Sequence, residues 1–402
     1  MSESQFTLDE VFEAYYKCRR NKRNTHNALA FEQDYMSECV RLHRELSDGT
    51  YRIGRSIVFL VTRPKLREVF AADFRDRIVH HLIMSRLEPL FEQVFIDDNY
   101  NCRQGKGTLY GIHRLHGHIR QCSHEYTRDC WVLKGDMQGF FMSIHKPTLW
   151  RMLEVFIRGR YRGEDIAQLM WLSKMVAMHC PEQGCIIKGD RRQWRHLSPE
   201  KSLFTSGGDY GLPIGNLTSQ MFANFYLADF DRWLSHRFSH YGRYVDDFFI
   251  VSIDKQALLK VLPEVRERLA RLHVKLHPHK MELQHYSKGV KFIGAVSKWS
   301  RLYVSNRTVG NMRRAIEELN RMPHKDEHLG EFVSRMNSYL GILGHYDSYH
   351  IRRRMMGMVD KEWWRYSYVY GRFERVKARR RQGANGLSSP NIPKLLLTSQ
   401  TI

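Results

Sequence analysis

The sequence predicts an α+β fold, and three observations carry that prediction. Ile57, Phe59 and Val61 alternate at the period of a strand, Trp131-Val132-Leu133 forms a short apolar run, and β-prone residues flank Asp246-Asp247 on both sides. Between these runs, apolar residues recur at helical spacing, and from Thr308 onward only that spacing remains. With 402 residues and 42% hydrophobic content, the chain can bury a large core and divide into two or three subdomains.

Taken in order, Thr7 and Glu10 form a capping box ahead of Leu8, Val11, Phe12, Tyr15 and Tyr16 on one helical face. The basic run Lys17, Arg19, Arg20, Lys22 and Arg23 follows, either a solvated face or an RNA contact. Pro64 ends the first strand, and Ile78, Val79, Leu82, Ile83 and Leu87 mark a helix. Gly105-Lys106-Gly107-Thr108 lacks the full spacing of a phosphate-binding P-loop, which excludes a P-loop NTPase. Helical spacing fills 147–178, and the loop-rich stretch to Gly211 reads as an insertion. Pro213-Ile214-Gly215-Asn216 opens a long helix, 255–272 reads as a helix and Val290–Val296 as a strand. The last helices carry Val309, Met312, Ile316 and Leu319, then Leu329, Phe332, Val333, Met336, Leu340 and Leu343. Lys377, Arg379, Arg380 and Arg381 precede a Gly/Ser/Pro-containing end that is expected to be mobile.

Lys and Arg number 64 against 43 Asp and Glu, and the net charge of +21 suits a partner made of phosphates. No run approaches the length of a membrane span, and the first residues do not resemble a signal peptide, so a cytoplasmic protein with no membrane partner is expected. Seven scattered cysteines predict free thiols; His179-Cys180 with Cys185 is too loosely spaced for zinc and reads as a loop.

Chemistry concentrates at Tyr244-Val245-Asp246-Asp247. Two carboxylates at a tight hairpin turn point oxygen ligands at one spot, which is what hard divalent cations take. Asp136, at the tip of the Trp131 strand, can supply a third. Three carboxylates on rigid strands within a basic fold describe a polymerase palm.

The resemblance then becomes specific. Lys134-Gly135-Asp136-Met137-Gln138-Gly139-Phe140-Phe141 resembles the first carboxylate motif of reverse transcriptases, and Tyr244-Val245-Asp246-Asp247 their second. The segment from Gly211 to Gln220, with Pro213, Ile214, Gly215 and Asn216, is similar to the family's intervening motif as it occurs in diversity-generating retroelements, a group II intron-like lineage. Residues Arg67 to Arg77 and Asn101 to Thr108 resemble its fingers, and Lys291-Phe292-Ile293-Gly294 its primer grip.

The resemblance implies a right-hand polymerase fold with fingers, an antiparallel-sheet palm and a helical thumb. Its expected divisions are an N-terminal helical extension (1–54), fingers (55–125), palm (126–304, insertion at about 150–210), thumb (305–370) and basic tail (371–402). It implies that Asp136 and Asp246, with the Met137 carbonyl and Asp247 close by, hold two Mg²⁺, with Mn²⁺ a substitute. Phe141 is either the ring that excludes a 2′-hydroxyl or a core ring beside Phe140. Lys65 and Arg67 would meet the triphosphate unless they are surface charges, and Gly215 and Gln220 would line the nucleotide site. Lys280 matches a proton donor to pyrophosphate, or sits in a solvated turn; Phe292, Ile293 and Gly294 would grip the primer.

Most reverse transcriptases carry Gln where this chain has Ile214. A hydrocarbon in place of a hydrogen-bonding amide would police base-pair geometry less tightly, and low fidelity opposite template adenines is the implied outcome, unless Ile214 only packs the palm. The partners implied are a template-repeat RNA, a primer extended into cDNA, deoxynucleoside triphosphates and a small basic accessory protein, in a bacterial, archaeal or phage setting. The alternatives are a reverse transcriptase of another lineage (group II intron maturase, retron or antiphage defence) and a non-catalytic RNA-binding scaffold.

Overall fold

The computed structural model describes residues 6–20, 25–62 and 65–379. Lys22, Arg23, Pro64, Arg380, Arg381 and the expected tail beyond 379 lie outside the described residues. The chain forms two compact units, Met1–Gly111 with Leu133–Leu283, and Ile112–Val132 with the chain from Gln284 onward. In chain order the strands are β1 (Ile57–Val61), β2 (Arg67–Ala71), β3 (Trp131–Asp136), β4 (Ile186–Ile187), β5 (Tyr241–Tyr244), β6 (Asp247–Ser252) and β7 (Glu282–His285). Then come β8 (Val290–Phe292), β9 (Ala295–Lys298), β10 (Arg301–Val304), β11 (Ser367–Tyr370) and β12 (Arg375–Ala378).

In the first unit, the helix Leu8–Arg19 starts at the capping box: Thr7 N donates to Glu10 at 2.9 Å, and Glu10 N donates to the Thr7 hydroxyl at 3.3 Å. Its Tyr15 lies on Tyr35 at 4.9 Å, which docks the N-terminal helices by aromatic burial. Strands β1 and β2 pair antiparallel with Val58 opposite Phe70, and β4 adds in parallel on the other side of β1. A four-stranded sheet runs β5-β6-β3-β7. The helices Phe74–Glu92 and Leu217–Tyr226 meet through Phe91 stacked on Phe225 at 4.9 Å. After the helices Lys146–Arg160 and Ile166–Met178, the chain up to Gly211 consists of β4, short 3₁₀ turns and irregular segments.

The second unit holds the sheet β10-β9-β8, helices Asn306–Asn320, Leu329–Leu343 and Tyr349–Gly357, and the hairpin β11-β12. Met312, Ile316, Phe332, Met336, Leu340 and Trp363 share its core. The structure corrects several sequence readings. The expected Val290–Val296 strand is a hairpin turning at Ile293-Gly294, because both residues take positive φ, +36° and +95°. The single helix expected over 255–272 is two, Lys255–Lys260 and Leu262–Arg271, because Pro263 starts a second helix at its first turn. Residues 371–379, expected in a mobile tail, close the bundle: Val376 is buried, donates to Asn337 Oδ1 at 2.7 Å and accepts from Asn337 Nδ2 at 2.9 Å. Residues 112–125, expected in the fingers, fall in the second unit.

Candidate active site

Local sequence sets the geometry of the carboxylates. Strands β5 and β6 pair with Tyr244 opposite Asp247, leaving Val245 and Asp246 as the hairpin loop. Asp247 is therefore the first residue of β6, where the sequence placed both acids in the turn. Val245 has φ +56°, as the first loop position of a type II′ turn requires, an expensive conformation for a β-branched residue. The hairpin is tied to the end of β3, because Met137 N donates to the Asp246 carbonyl at 3.1 Å. On the other side, His277 N donates to the Asp136 carbonyl at 2.8 Å and Gln138 N to the Lys275 carbonyl at 2.8 Å. Asp136 and Asp246 thus lie side by side on a hydrogen-bonded frame.

Their electrostatics follow from that convergence. Burial, then the charge of Asp136, raises Asp246 above the ordinary carboxyl range. Burial, then Asp246 and Asp136, pushes Asp247 up to about 7, against the opposing fields of Lys134 and Lys65. Lys280 donates to Asp136 Oδ1 at 2.8 Å, and the charges of Lys280 and Arg67 favour ionised Asp246. The structure therefore brings Lys65, Arg67 and Lys280, far apart in sequence, to bear on one carboxylate cluster. An all-oxygen donor set with mutual repulsion fits a hard divalent cation. Among the described residues no three such side chains form a ready-made cage.

Phe141 and Ile214 pack against one core of Val58, Phe70, Met142 and Leu203. The Ile214 carbonyl accepts from Phe70 N at 3.0 Å, joining its loop to β2. Gly215 has φ +117°, and a Cβ there would stand 2.8 Å from Val69 Cγ1, so only glycine fits between loop and strand. Gln220 Oε1 accepts from Asn101 Nδ2 at 3.1 Å, which links the helix Leu217–Tyr226 to the segment Asn101–Thr108. Phe292 ends β8 opposite Ala295, and Ile293 and Gly294 form the hairpin loop that follows it, all in the second unit.

Sequence reasoning missed two supports. Arg243 and Asp231 are fully buried and paired by a two-pronged ion pair, Nε to Oδ1 at 2.7 Å and Nη2 to Oδ2 at 2.6 Å. The third guanidinium nitrogen, Nη1, donates to the Val245 carbonyl at 2.7 Å, bracing the turn that presents the acids. An Arg directly before the Tyr-Val-Asp-Asp segment was the only visible signal. The second support is Glu68, buried on β2, whose carboxylate accepts from Trp194 Nε1 at 2.6 Å, Ser202 Oγ at 2.8 Å and Leu203 N at 2.7 Å. It fastens the segment around Trp194–Leu203 to β2. Glu200 of the same segment reaches the loop after β3 and accepts from Gln138 Nε2 at 2.8 Å.

Residues 63–296 match the family described as reverse transcriptase (RNA-dependent DNA polymerase). Protein YkfC of Escherichia coli (strain K12) is 23% identical over 290 residues, covering 63% of this chain and 69% of that protein. The group II intron-encoded protein LtrA of Lactococcus lactis subsp. cremoris is 22% identical over 284 residues, 66% of this chain but only 40% of LtrA. Among solved structures, apo telomerase from Candida tropicalis, truncated from the C-terminal domain, aligns with a TM-score of 0.45 and 10% identity over 62% of this chain and 55% of that one. Its complex with a fragment of telomeric RNA aligns with a TM-score of 0.45 and 11% identity over 76% and 52%. The family match spans more than half of the sequence and contains all three carboxylates; the chain belongs to the reverse transcriptases.

Proposed function

We propose that this chain is an RNA-directed DNA polymerase that copies a template-repeat RNA into adenine-mutated cDNA for mutagenic retrohoming. The observation that carries the subtype is Ile214, packed in one core with Phe141 at the position where most reverse transcriptases have Gln. Asp136, Asp246 and Asp247 would hold two Mg²⁺, or Mn²⁺ in their place, with the Met137 carbonyl a further ligand. When bound, such cations activate the primer 3′-hydroxyl and neutralise the departing pyrophosphate. The protein's own part is positioning. The frame of β3, β5 and β6 fixes the acids, Lys65 and Arg67 would offset the triphosphate charge, Phe141 and Ile214 would bound the sugar and base, and Lys280, which bonds Asp136, would deliver a proton to pyrophosphate. A small basic accessory protein completes this reading. No described helix is long and apolar enough to cross a membrane.

A second reading, a group II intron-type reverse transcriptase of another lineage, is favoured by the similarity to LtrA. Primer extension on a primed RNA tests both. Deoxynucleotide incorporation dependent on divalent cation and lost in Asp246→Asn is expected. Sequencing of the products should show errors concentrated opposite template adenines that diminish in Ile214→Gln. An error spectrum without adenine bias, or one unmoved by Ile214→Gln, favours the other lineage; no incorporation on any template overturns the polymerase reading.

A further inference from the structure

The second unit carries a strained aromatic pair that polymerisation chemistry does not use. Trp299 occupies the loop of the β9-β10 hairpin with φ +50°, and Tyr126 lies in an unusual run with His124 and Glu125, all three at positive φ. The Trp299 and Tyr126 rings are parallel to within 9° at a centroid separation of 6.1 Å, an offset stack. Hairpin loops fill such a position with Gly, Asn or Asp, because a bulky side chain there is strained. Burial does not compensate Trp299, since 59% of it remains exposed.

Behind the pair, the geometry is rigid. His116 bridges Ser297 Oγ at 2.8 Å and the Tyr126 hydroxyl at 3.4 Å, and the Tyr286 hydroxyl donates to the Tyr126 carbonyl at 3.2 Å. Burial, then His113, lowers the pKa of His116, so the brace is a neutral imidazole. The adjoining sheet is charged on one face only. Lys291, Val296 and Tyr303 lie in register across β8, β9 and β10, beside the pair Lys298 and Arg301, and every one of these except Val296 is exposed. Residues 287–306 contain no Asp or Glu; Asp347 approaches Arg301 only at 3.9 Å, with both side chains exposed.

We infer that Trp299 and Tyr126 form a base-stacking platform for single-stranded nucleic acid, whose phosphates run along the basic face of the β8-β9-β10 sheet. The exposed Trp299 ring, backed by the half-buried Tyr126, takes any base face, while flanking cations follow the backbone, a combination suited to a strand held without sequence choice. The inference builds on the proposed polymerase function but is tested without catalysis.

The full chain is titrated with labelled oligouridine and labelled oligodeoxythymidine in the absence of nucleotides, and affinity is read by fluorescence anisotropy over a salt series. Trp299→Asn suits the turn and removes the ring; it is expected to weaken binding roughly 5- to 150-fold with no change in salt slope. Trp299→Tyr should retain most of the affinity. Lys298→Gln with Arg301→Gln should instead flatten the slope of log affinity against log salt by about 0.7 for each phosphate no longer neutralised. A loss confined to oligouridine assigns the strand as RNA, one confined to oligodeoxythymidine as DNA, and a loss on both means that the sugar is not read. Binding unchanged in Trp299→Asn on both probes, or weakened equally in Trp299→Tyr, overturns the platform. A chain that binds as expected yet extends no primer removes the polymerase reading and leaves the platform standing.

Discussion

Substituting Arg243 by Lys isolates the brace behind the acidic turn. Lysine keeps the positive charge opposite Asp231 but has one nitrogen, so it cannot engage both carboxylate oxygens and also reach the Val245 carbonyl. Two of the three short bonds, to Asp231 Oδ1 at 2.7 Å, Oδ2 at 2.6 Å and Val245 O at 2.7 Å, should be lost. Hydrogen bonds to charged groups contribute about 1.5–3 kcal/mol each, so stability should fall by roughly 3–6 kcal/mol. That is a large share of the ~5–15 kcal/mol typical of a domain, and the chain should still fold. With its brace gone, the strained Val245 turn relaxes and moves Asp246; displacement on the order of 1 Å costs about a hundredfold in rate. Asp231→Asn is the control, because it weakens the same buried pair while leaving the bond to Val245 in place. Urea denaturation and steady-state primer extension on both variants should show comparable losses of stability but a much larger fall in kcat for Arg243→Lys, with little change in the nucleotide KM. If the two variants lose kcat equally, or Arg243→Lys keeps kcat within about twofold despite the stability loss, the turn needs no brace and the reasoning fails.

Three further outcomes are expected. Phe141→Ala should admit ribonucleotides, read as a fall in the ratio of kcat/KM for deoxynucleotides over ribonucleotides; an unchanged ratio removes the sugar-excluding role. Glu68→Gln should put an amide among donors that need an acceptor, cost about 1–3 kcal/mol, raise the nucleotide KM and speed proteolysis within 188–206, whereas unaltered cleavage there would show that the insertion is held by other contacts. Burial raises Asp76 from 3.8 to about 6 despite hydrogen bonds from the Tyr51 hydroxyl at 2.7 Å and Gly54 N at 2.9 Å. Its protonated form is the one the fold favours, so its contribution is complete below about pH 4 and is lost as pH rises through about 6, a change of roughly 3 kcal/mol. Relative to Asp76→Asn, wild-type stability in urea should decline across that window and stay level above it; a constant difference would mean that Asp76 titrates normally.

The Tyr241–Ser252 hairpin was legible because its determinants are local. Apolar residues on either side of Asp246-Asp247 carry the strand pattern themselves, and Asp136 ends an equally self-evident strand. Arg243 was not legible as a brace, since its partner Asp231 lies on a separate helix and only the folded chain makes them a pair. Glu68 looked like one more residue of a fingers motif, and its three donors all come from the insertion. The β11-β12 hairpin was hidden by its own charges: Lys377 and Arg379 read as the lead-in to a tail, while alternation around Val369 and Val376 was the missed sign of strands.

The make-up of the second unit bears on how the protein folds during synthesis. Residues 112–132 leave the ribosome early, yet Tyr126 waits for Tyr286 and Trp299, and Cys130 for the Tyr286 amide that donates to its carbonyl at 3.2 Å. Translating 133–283 at about 5–20 residues per second imposes a wait of roughly 8–30 s. Through that interval, the buried apolar side of the segment, including Ile112, Leu115 and Ile119, has no native partner from the later part of the chain. A second delay falls at the end, because Asn337 gains its pair of hydrogen bonds with Val376 only when the last described strand is made. Slow synthesis therefore prolongs the aggregation-prone state of this unit, and nascent-chain yield should depend on translation speed through the first unit's sequence.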